Sequence, residues 1–233
     1  MSMAYDLATT VVRTLYDRRI SGPSVLATDD HFPSAQHFAA NWSRLAAEAR
    51  EVADHILAVP RFHELMSEQV SISATDDRDW RMYVLKAYGV AITRNLARCP
   101  VLARLLAAAP EVDSAAISFL APGKHVPVHR GPFRGILRYH LMLSVPLDAA
   151  GQPLSVLTID GVEHRLKDGD TLLWDDTYQH EVCNRGGRVR AALLLDVRRP
   201  RLPWDLAVLS RVLVALVGCS IRLRPSMRRR MAV

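Results

Sequence analysis

Cysteine is scarce in these 233 residues, and the three present, Cys99, Cys183 and Cys219, lie far apart with no CxxC pair. That excludes a disulfide scaffold and a cysteine zinc site, and it suits a reducing compartment such as the cytoplasm. No GxxxxGK[ST] or GxGxxG string occurs, so nucleotide binding has no motif behind it. The start, Met1-Ser-Met-Ala-Tyr-Asp, has no basic region leading into an apolar run, and a secretory signal is not expected. Long hydrophobic runs are also missing. The longest, 206–221, is broken by Arg211 and reads as too short to span a bilayer. There is no internal repeat or low-complexity tract. What remains is ordinary globular composition, 49% hydrophobic and 23% charged, which suits one unit over residues 1–233 with helical extensions.

The formal net charge of +6 is unevenly placed. Nine arginines and one acid, Asp205, fall between Arg198 and Val233, which leaves the rest of the chain with 21 basic and 23 acidic residues. A nucleic-acid groove needs cations on the folded body, so no nucleic-acid partner is expected. The plain reading of residues 201–233 is a solvated basic terminus. The sharper reading is peripheral attachment to a membrane, on the inner face, through an apolar helix followed by Arg222, Arg224, Arg228, Arg229 and Arg230.

Residues 1–112 read as mainly helical. Phe38, Trp42, Leu45, Ala49, Val52 and Ile56 recur at steps of three and four, the stripe of one helix beginning near Ser34, which is expected to be its N-cap. A second helix is expected over residues 3–18, a strand over 80–90, and a Leu/Ala-rich helix opening at Cys99-Pro100. Beyond Asp113 short β-branched runs alternate with turn signals such as Ala121-Pro-Gly-Lys and Lys167-Asp-Gly-Asp. That texture predicts a small sandwich or barrel over 113–200, with a jelly roll the leading candidate.

Two of these strands carry charge where a plain core would not. Alternation sets Arg138 and His140 opposite Leu137, Tyr139 and Leu141, and Arg190 opposite Ala191 and Leu193. Such faces commonly look at water. The alternative is a barrel interior that binds an anion, for which the planar fork of arginine suits a carboxylate. Five of the nine histidines lie in this region. His125 and His129 imitate a helical HxxxH zinc pair, but Pro127 between them disfavours a helix. His129 and His180 sit beside turn and acidic residues, and two imidazoles on a β scaffold with open positions suit ferrous iron. Asp175 or Asp176 is expected to orient His180.

The strings Ala121-Pro-Gly-Lys-His-Val-Pro-Val-His-Arg-Gly-Pro, Leu137-Arg-Tyr-His-Leu and Trp174-Asp-Asp-Thr-Tyr-Gln-His-Glu-Val, together with Thr75-Asp-Asp-Arg-Asp-Trp and Arg98-Cys-Pro, resemble bacterial members of the aspartyl/asparaginyl β-hydroxylase family. The likeness runs from about Phe32 to Trp204. It implies an α+β fold: a double-stranded β-helix (jelly roll, cupin-like) with N-terminal helices packed on it and a C-terminal helix. It also implies iron(II) and 2-oxoglutarate as cofactor and cosubstrate. His129 and His180 would hold the metal, and Arg190, ten residues after His180, would bind 2-oxoglutarate in a pocket shared with Ser118, Arg138 and His140. Gly131 stands where the usual third, carboxylate ligand would be, as the family has it. The implied reaction consumes dioxygen, yields succinate and carbon dioxide, and hydroxylates an unactivated C–H. The first substrate suggested by the resemblance is the β-carbon of an aspartyl or asparaginyl group in a peptide or small molecule. A lipid-linked acyl chain is the alternative, halogenation a third, and a non-catalytic jelly-roll binding module the reading from another class.

Overall fold

The computed structural model describes residues 3–233. Helix α1 (Met3–Asp17) precedes a two-residue strand, β1 (Val25–Leu26). Helices α2 (Thr28–His31), α3 (Ala35–Ala40), α4 (Trp42–Ala53), α5 (Phe62–Leu65) and α6 (Val70–Ser73) follow, with short 3-10 turns between them. Strands β2 (Trp80–Ala87) and β3 (Val90–Ala91) and helices α7 (Thr93–Ala97) and α8 (Pro100–Ala108) lead into a run of eight strands. These are β4 (Val112–Leu120), β5 (His125–His129), β6 (Ile136–Ser144), β7 (Ser155–Ile159), β8 (Val162–His164), β9 (Thr171–Trp174), β10 (His180–Asn184) and β11 (Arg190–Arg198). Helices α9 (Trp204–Leu223) and α10 (Pro225–Met231) close the described chain.

The eight strands form a double-stranded β-helix. One sheet has the order β1-β9-β6-β11-β4-β2-β3 and the other β5-β10-β7-β8. The pairs within both sheets are antiparallel. The class is α+β, as expected. Alternation gives the larger sheet two different faces. Tyr83, Leu85, Ile117, Phe119, Leu137, Tyr139, Leu141, Leu193 and Leu195 face outward into the main core, where Phe38, Leu45, Ala49 and Val52 of α3 and α4 and Leu102 and Leu106 of α8 cover them. Each such side chain removed from water contributes roughly 1.5–3 kcal/mol. The inner face faces the smaller sheet. Beyond that sheet α9 and α10 cover it, through Ile221 and Met231 on Val84 and Ala116, and through Leu206 on Phe133 and Ile136.

Three expectations need correction. The stripe from Phe38 to Ile56 is not one helix. Asn41 ends α3 in the bridge region (φ −103°, ψ 11°), its side-chain amide donates to the carbonyl of His37 at 2.9 Å, and α4 starts afresh after it. A side chain that bonds its own backbone competes with helix continuation. Ser34 makes no capping bond through its hydroxyl. Finally, the apolar run near the C-terminus is longer than the sequence suggested. Helix α9 has 20 residues, and by length and composition alone it would reach across a bilayer. Its inner side, with Leu206, Ser210, Gly218 and Ile221, is packed on the domain.

A candidate two-histidine metal centre

His129 ends β5 and His180 begins β10, and the two are direct cross-strand partners. Direct pairing brings Cβ atoms within about 5 Å of one another. The imidazole centroids here lie 4.0 Å apart, with planes inclined at 57°. A β-bulge makes this possible. Between the pairs His180↔His129 and Val182↔Val126, β10 has one residue and β5 has two, Pro127 and Val128. The extra residue turns Val128 to solvent and returns His129 to the inner face that Val126 already occupies. Pro127 has no N–H to offer the ladder, so an irregular position suits it.

Both rings are oriented in the same way. Nδ1 of His129 lies 2.8 Å from the carbonyl oxygen of Pro127, and Nδ1 of His180 lies 2.9 Å from that of Tyr178. A carbonyl only accepts, so Nδ1 carries the proton in each ring and Nε2 keeps its lone pair. Burial lowers the pKa of both rings. The effect is strongest for His180, which falls to about 2, with the neighbouring His129 adding to it. Both imidazoles therefore stay neutral near neutral pH, the form that ligates metal. Trp174 stands edge-on to His180 at 4.5 Å and to His140 at 5.4 Å, which fixes the wall behind them.

The expected partner of His180 is thus wrong. Neither Asp175 nor Asp176 touches its Nδ1; a backbone carbonyl does. Asp175 bonds the amide and hydroxyl of Thr177 and pairs with Arg134 and Arg199. Asp176 is the residue that the sequence analysis undervalued. A Cβ placed on Gly131 would lie 2.1 Å from its Oδ1, so the space beside Gly131 is already filled by a carboxylate from the loop before β10. Oδ2 of Asp176 pairs with Arg138 at 3.2 Å, while Oδ1 is buried with no partner among the described residues. Burial raises this carboxyl to about pH 7 against the pull of Arg138.

On the inner face of the larger sheet, Arg138 and His140 of β6 and Arg190 of β11, which alternation groups, lie with Ser118 of β4, which the resemblance supplied. Their surroundings differ. Arg138 is held by Asp196 across the strand pair, at 2.8 Å, and by Asp176. Ser118 accepts a hydrogen bond from the indole of Trp80 at 3.0 Å. Among the described residues, His140 Nδ1 and Arg190 Nε are buried without partners. The Arg190 guanidinium reaches the sulfur of Met142, 3.7 Å away. Desolvation lowers Arg190 to about 10, so it remains charged at neutral pH. A buried cation with no counter-ion is costly and calls for an anion. The donor set therefore fits one divalent ion on two neutral imidazoles and a carboxylate-bearing molecule on Arg190.

The segments flanking the strands meet as well. Lys124, fully buried, binds Asp76 at 2.6 Å and the carbonyl of Ser73, which joins the Thr75–Trp80 string to the turn before β5. Asn184 donates to the carbonyls of Leu120, Ala121 and Arg188 and locks the far end of β10. His125 stays outside the site, paired with Glu181 at the surface.

A sequence profile described as Aspartyl/Asparaginyl beta-hydroxylase matches residues 39–200, which takes in β2 to β11 and every residue of this site. The chain belongs to that family. Its curated relatives include an ornithine lipid ester-linked acyl 2-hydroxylase from Rhizobium tropici, 32% identical over 182 residues, 78% of this chain and 63% of the relative. An aspartate beta-hydroxylase domain-containing protein 2 from Xenopus tropicalis is 27% identical over 140 residues, 56% of this chain and 36% of that protein. The human aspartyl/asparaginyl beta-hydroxylase is 27% identical over 129 residues, 53% of this chain and 16% of that protein. The chain therefore spans less than two thirds of each of these members of the family.

Proposed function

We propose that the protein is an Fe(II)- and 2-oxoglutarate-dependent hydroxylase, and that its substrate is the acyl chain of an amino-acid-headed lipid. One observation carries the chemistry: two neutral imidazoles in register, both with Nε2 free, with His140 between them and a buried arginine that pairs with no acid among the described residues. His129 and His180 would hold the iron, and Arg190 would bind the distal carboxylate of 2-oxoglutarate through its fork. Ser118 and His140 would offer the further polar contacts of the pocket. Arg138, tied to Asp196 and Asp176, keeps positive charge close to both histidines without leaving the sheet. When bound, iron and cosubstrate supply the oxidising power that an unactivated C–H requires. Trp174 and the apolar side chains Val126, Val182 and Ile159 line the interior and limit water.

The lipid reading rests on the Rhizobium tropici relative, which aligns over far more of this chain than the human one does. It suits a protein working at the inner face of a membrane. The β-carbon of an aspartyl or asparaginyl group is the second reading, supported by the family description and the human relative. The test is anaerobic loading with Fe(II), then addition of oxygen with 2-oxoglutarate and either an ornithine-headed lipid in detergent or an aspartyl peptide. Succinate formed in step with a lipid product heavier by one oxygen atom is expected. Hydroxylation of the peptide alone would move the assignment to the second reading. A chain that binds no iron and makes no succinate would be a binding module.

A further inference from the structure

The outer side of α9 is apolar where a helix lying on a soluble body is ordinarily polar. Opposite the packed residues runs a stripe of Trp204, Val208, Val212, Leu216 and Leu223, with Trp204 81% and Leu216 63% exposed. Helix α1 repeats the pattern: Tyr16 is buried, while Leu7, Val11 and Leu15, spaced four apart, are exposed. The two helices are joined. The hydroxyl of Tyr16 donates to the carbonyl of Leu206 at 3.1 Å and lies 2.7 Å from Ser210 Oγ, and Arg19 pairs with Asp205. Exposed apolar surface on two neighbouring helices marks an interaction site.

Charge selects the occupant. Arg211 and Arg222 lie on the exposed side of α9 beside the stripe, and Arg224, Arg228, Arg229 and Arg230 follow it, all exposed. At the far end, Arg94, Arg228 and Arg229 line a cleft of about 250 Å³ together with Thr93 and Pro225. Among the described residues no acidic side chain neutralises these three guanidiniums. A second copy of the chain docked on this face would bring arginine against arginine. An anionic bilayer instead offers phosphates to the guanidiniums and an apolar zone to the stripes.

The same helices brace the metal centre. Arg13 of α1 donates to the carbonyl of Gly131 at 3.5 Å, Asp17 pairs with Arg134 at 3.2 Å, and Tyr16 packs edge-on to Phe133 with centroids 5.9 Å apart. Helix α9 covers Ile136 at the start of β6. The loop that follows His129 therefore lies directly beneath α1 and α9.

We propose that the exposed stripes of α1 and α9, with the arginines at the C-terminal end, form a docking surface for an anionic phospholipid bilayer, which sets the two helices that cover the loop after His129 against the lipid. Docking itself does not depend on the hydroxylase reading; its use in delivering a lipid substrate does.

The experiment is flotation of the full chain with vesicles of phosphatidylcholine alone, or of phosphatidylcholine mixed with phosphatidylglycerol, alongside an iron titration of the same samples. Binding to the mixed vesicles, weak binding to the neutral ones and release by salt are expected. Arg228→Glu and Arg229→Glu should each lower affinity at least about fivefold. Val212→Glu with Leu216→Glu should abolish binding with the melting temperature unchanged. Overturning results are no binding to either vesicle, or undiminished binding by the folded Val212→Glu, Leu216→Glu variant. A vesicle-free dimer dispersed by that variant would assign the face to a second copy, and resistance to both salt and carbonate would mean a spanning helix; either overturns docking. Iron binding without vesicle binding sinks docking and spares the hydroxylase reading. Vesicle binding without iron does the reverse.

Discussion

His129 and His180 give their Nδ1 protons to carbonyls two residues back, so each ring is held by its own strand. Removing one ring cannot be offset by the other. His180→Ala is expected to abolish stoichiometric Fe(II) binding in an anaerobic titration, while the circular dichroism spectrum stays as it was. Arg190→Ala should keep iron but lose the charged partner of the cosubstrate. A buried carboxylate left unpaired costs about 2–5 kcal/mol, so the 2-oxoglutarate concentration for half-maximal succinate formation should rise about thirtyfold or more. An unchanged requirement would remove Arg190 from the pocket. Gly131 is constrained by what it touches. Gly131→Ala would drive its Cβ into the Asp176 carboxylate, and overpacking of this kind costs about 1–3 kcal/mol. A urea midpoint equal to that of the unsubstituted protein would mean that Asp176 moves aside freely.

At the level of the element, legibility followed the period of the strand. Two-residue alternation picked Arg138, His140 and Arg190 onto one face because β11 stays in register with β4 from Arg190 to Asp196 and β6 with β11 from Arg138 to Met142, short of the shift at Ala191. The same rule could not place His129. A bulge at Pro127 and Val128 shifts its parity, and no alternation count on His125–His129 anticipates one inserted residue. The resemblance supplied the position that periodicity could not. Helix α3 failed for a similar reason: the three-and-four stripe continues through Asn41, whose side chain interrupts the backbone while leaving the apolar spacing intact. Asp176 was expected in another role because its actual one depends on meeting Gly131, 45 positions earlier in the chain, and no local pattern encodes that contact. The bulge makes its own prediction. Pro127→Ala retains the carbonyl that His129 needs and should bind iron within about twofold of the unsubstituted protein, a change below 0.5 kcal/mol. Deleting Val128 would remove the bulge and leave a plain alternation from Val126 through Pro127 that still turns His129 inward opposite His180, so iron binding should persist in the same titration.

Over the whole molecule, the interior of the roll holds its imidazoles in the neutral form beside charged arginines. Burial, with Arg190 and Arg138 nearby, holds His140 well below its ordinary value. The unfolded chain takes up a proton on this ring near pH 6.5 and the folded chain does not, so the contribution of His140 to stability is present above that pH and declines as pH falls. Relative to His140→Gln, the metal-free protein should lose about 1.4 kcal/mol per pH unit below 6.5, read from urea midpoints at several pH values. A difference that does not vary with pH would show that the ring is charged in the fold. The architecture as a class was readable from turn spacing and β-branched runs. The two-sided character of α9 was not, because a stripe buried on the sheet and a stripe left in water consist of the same leucines and valines.

Arg13 and Asp17 fasten the first helix to the loop that carries on from His129. Order at the one place and order at the other are therefore a single thermodynamic quantity seen from two ends. Reciprocity follows: by whatever factor a surface that immobilises α1 tightens the grip on the ion, the ion must tighten the grip on that surface by the same factor.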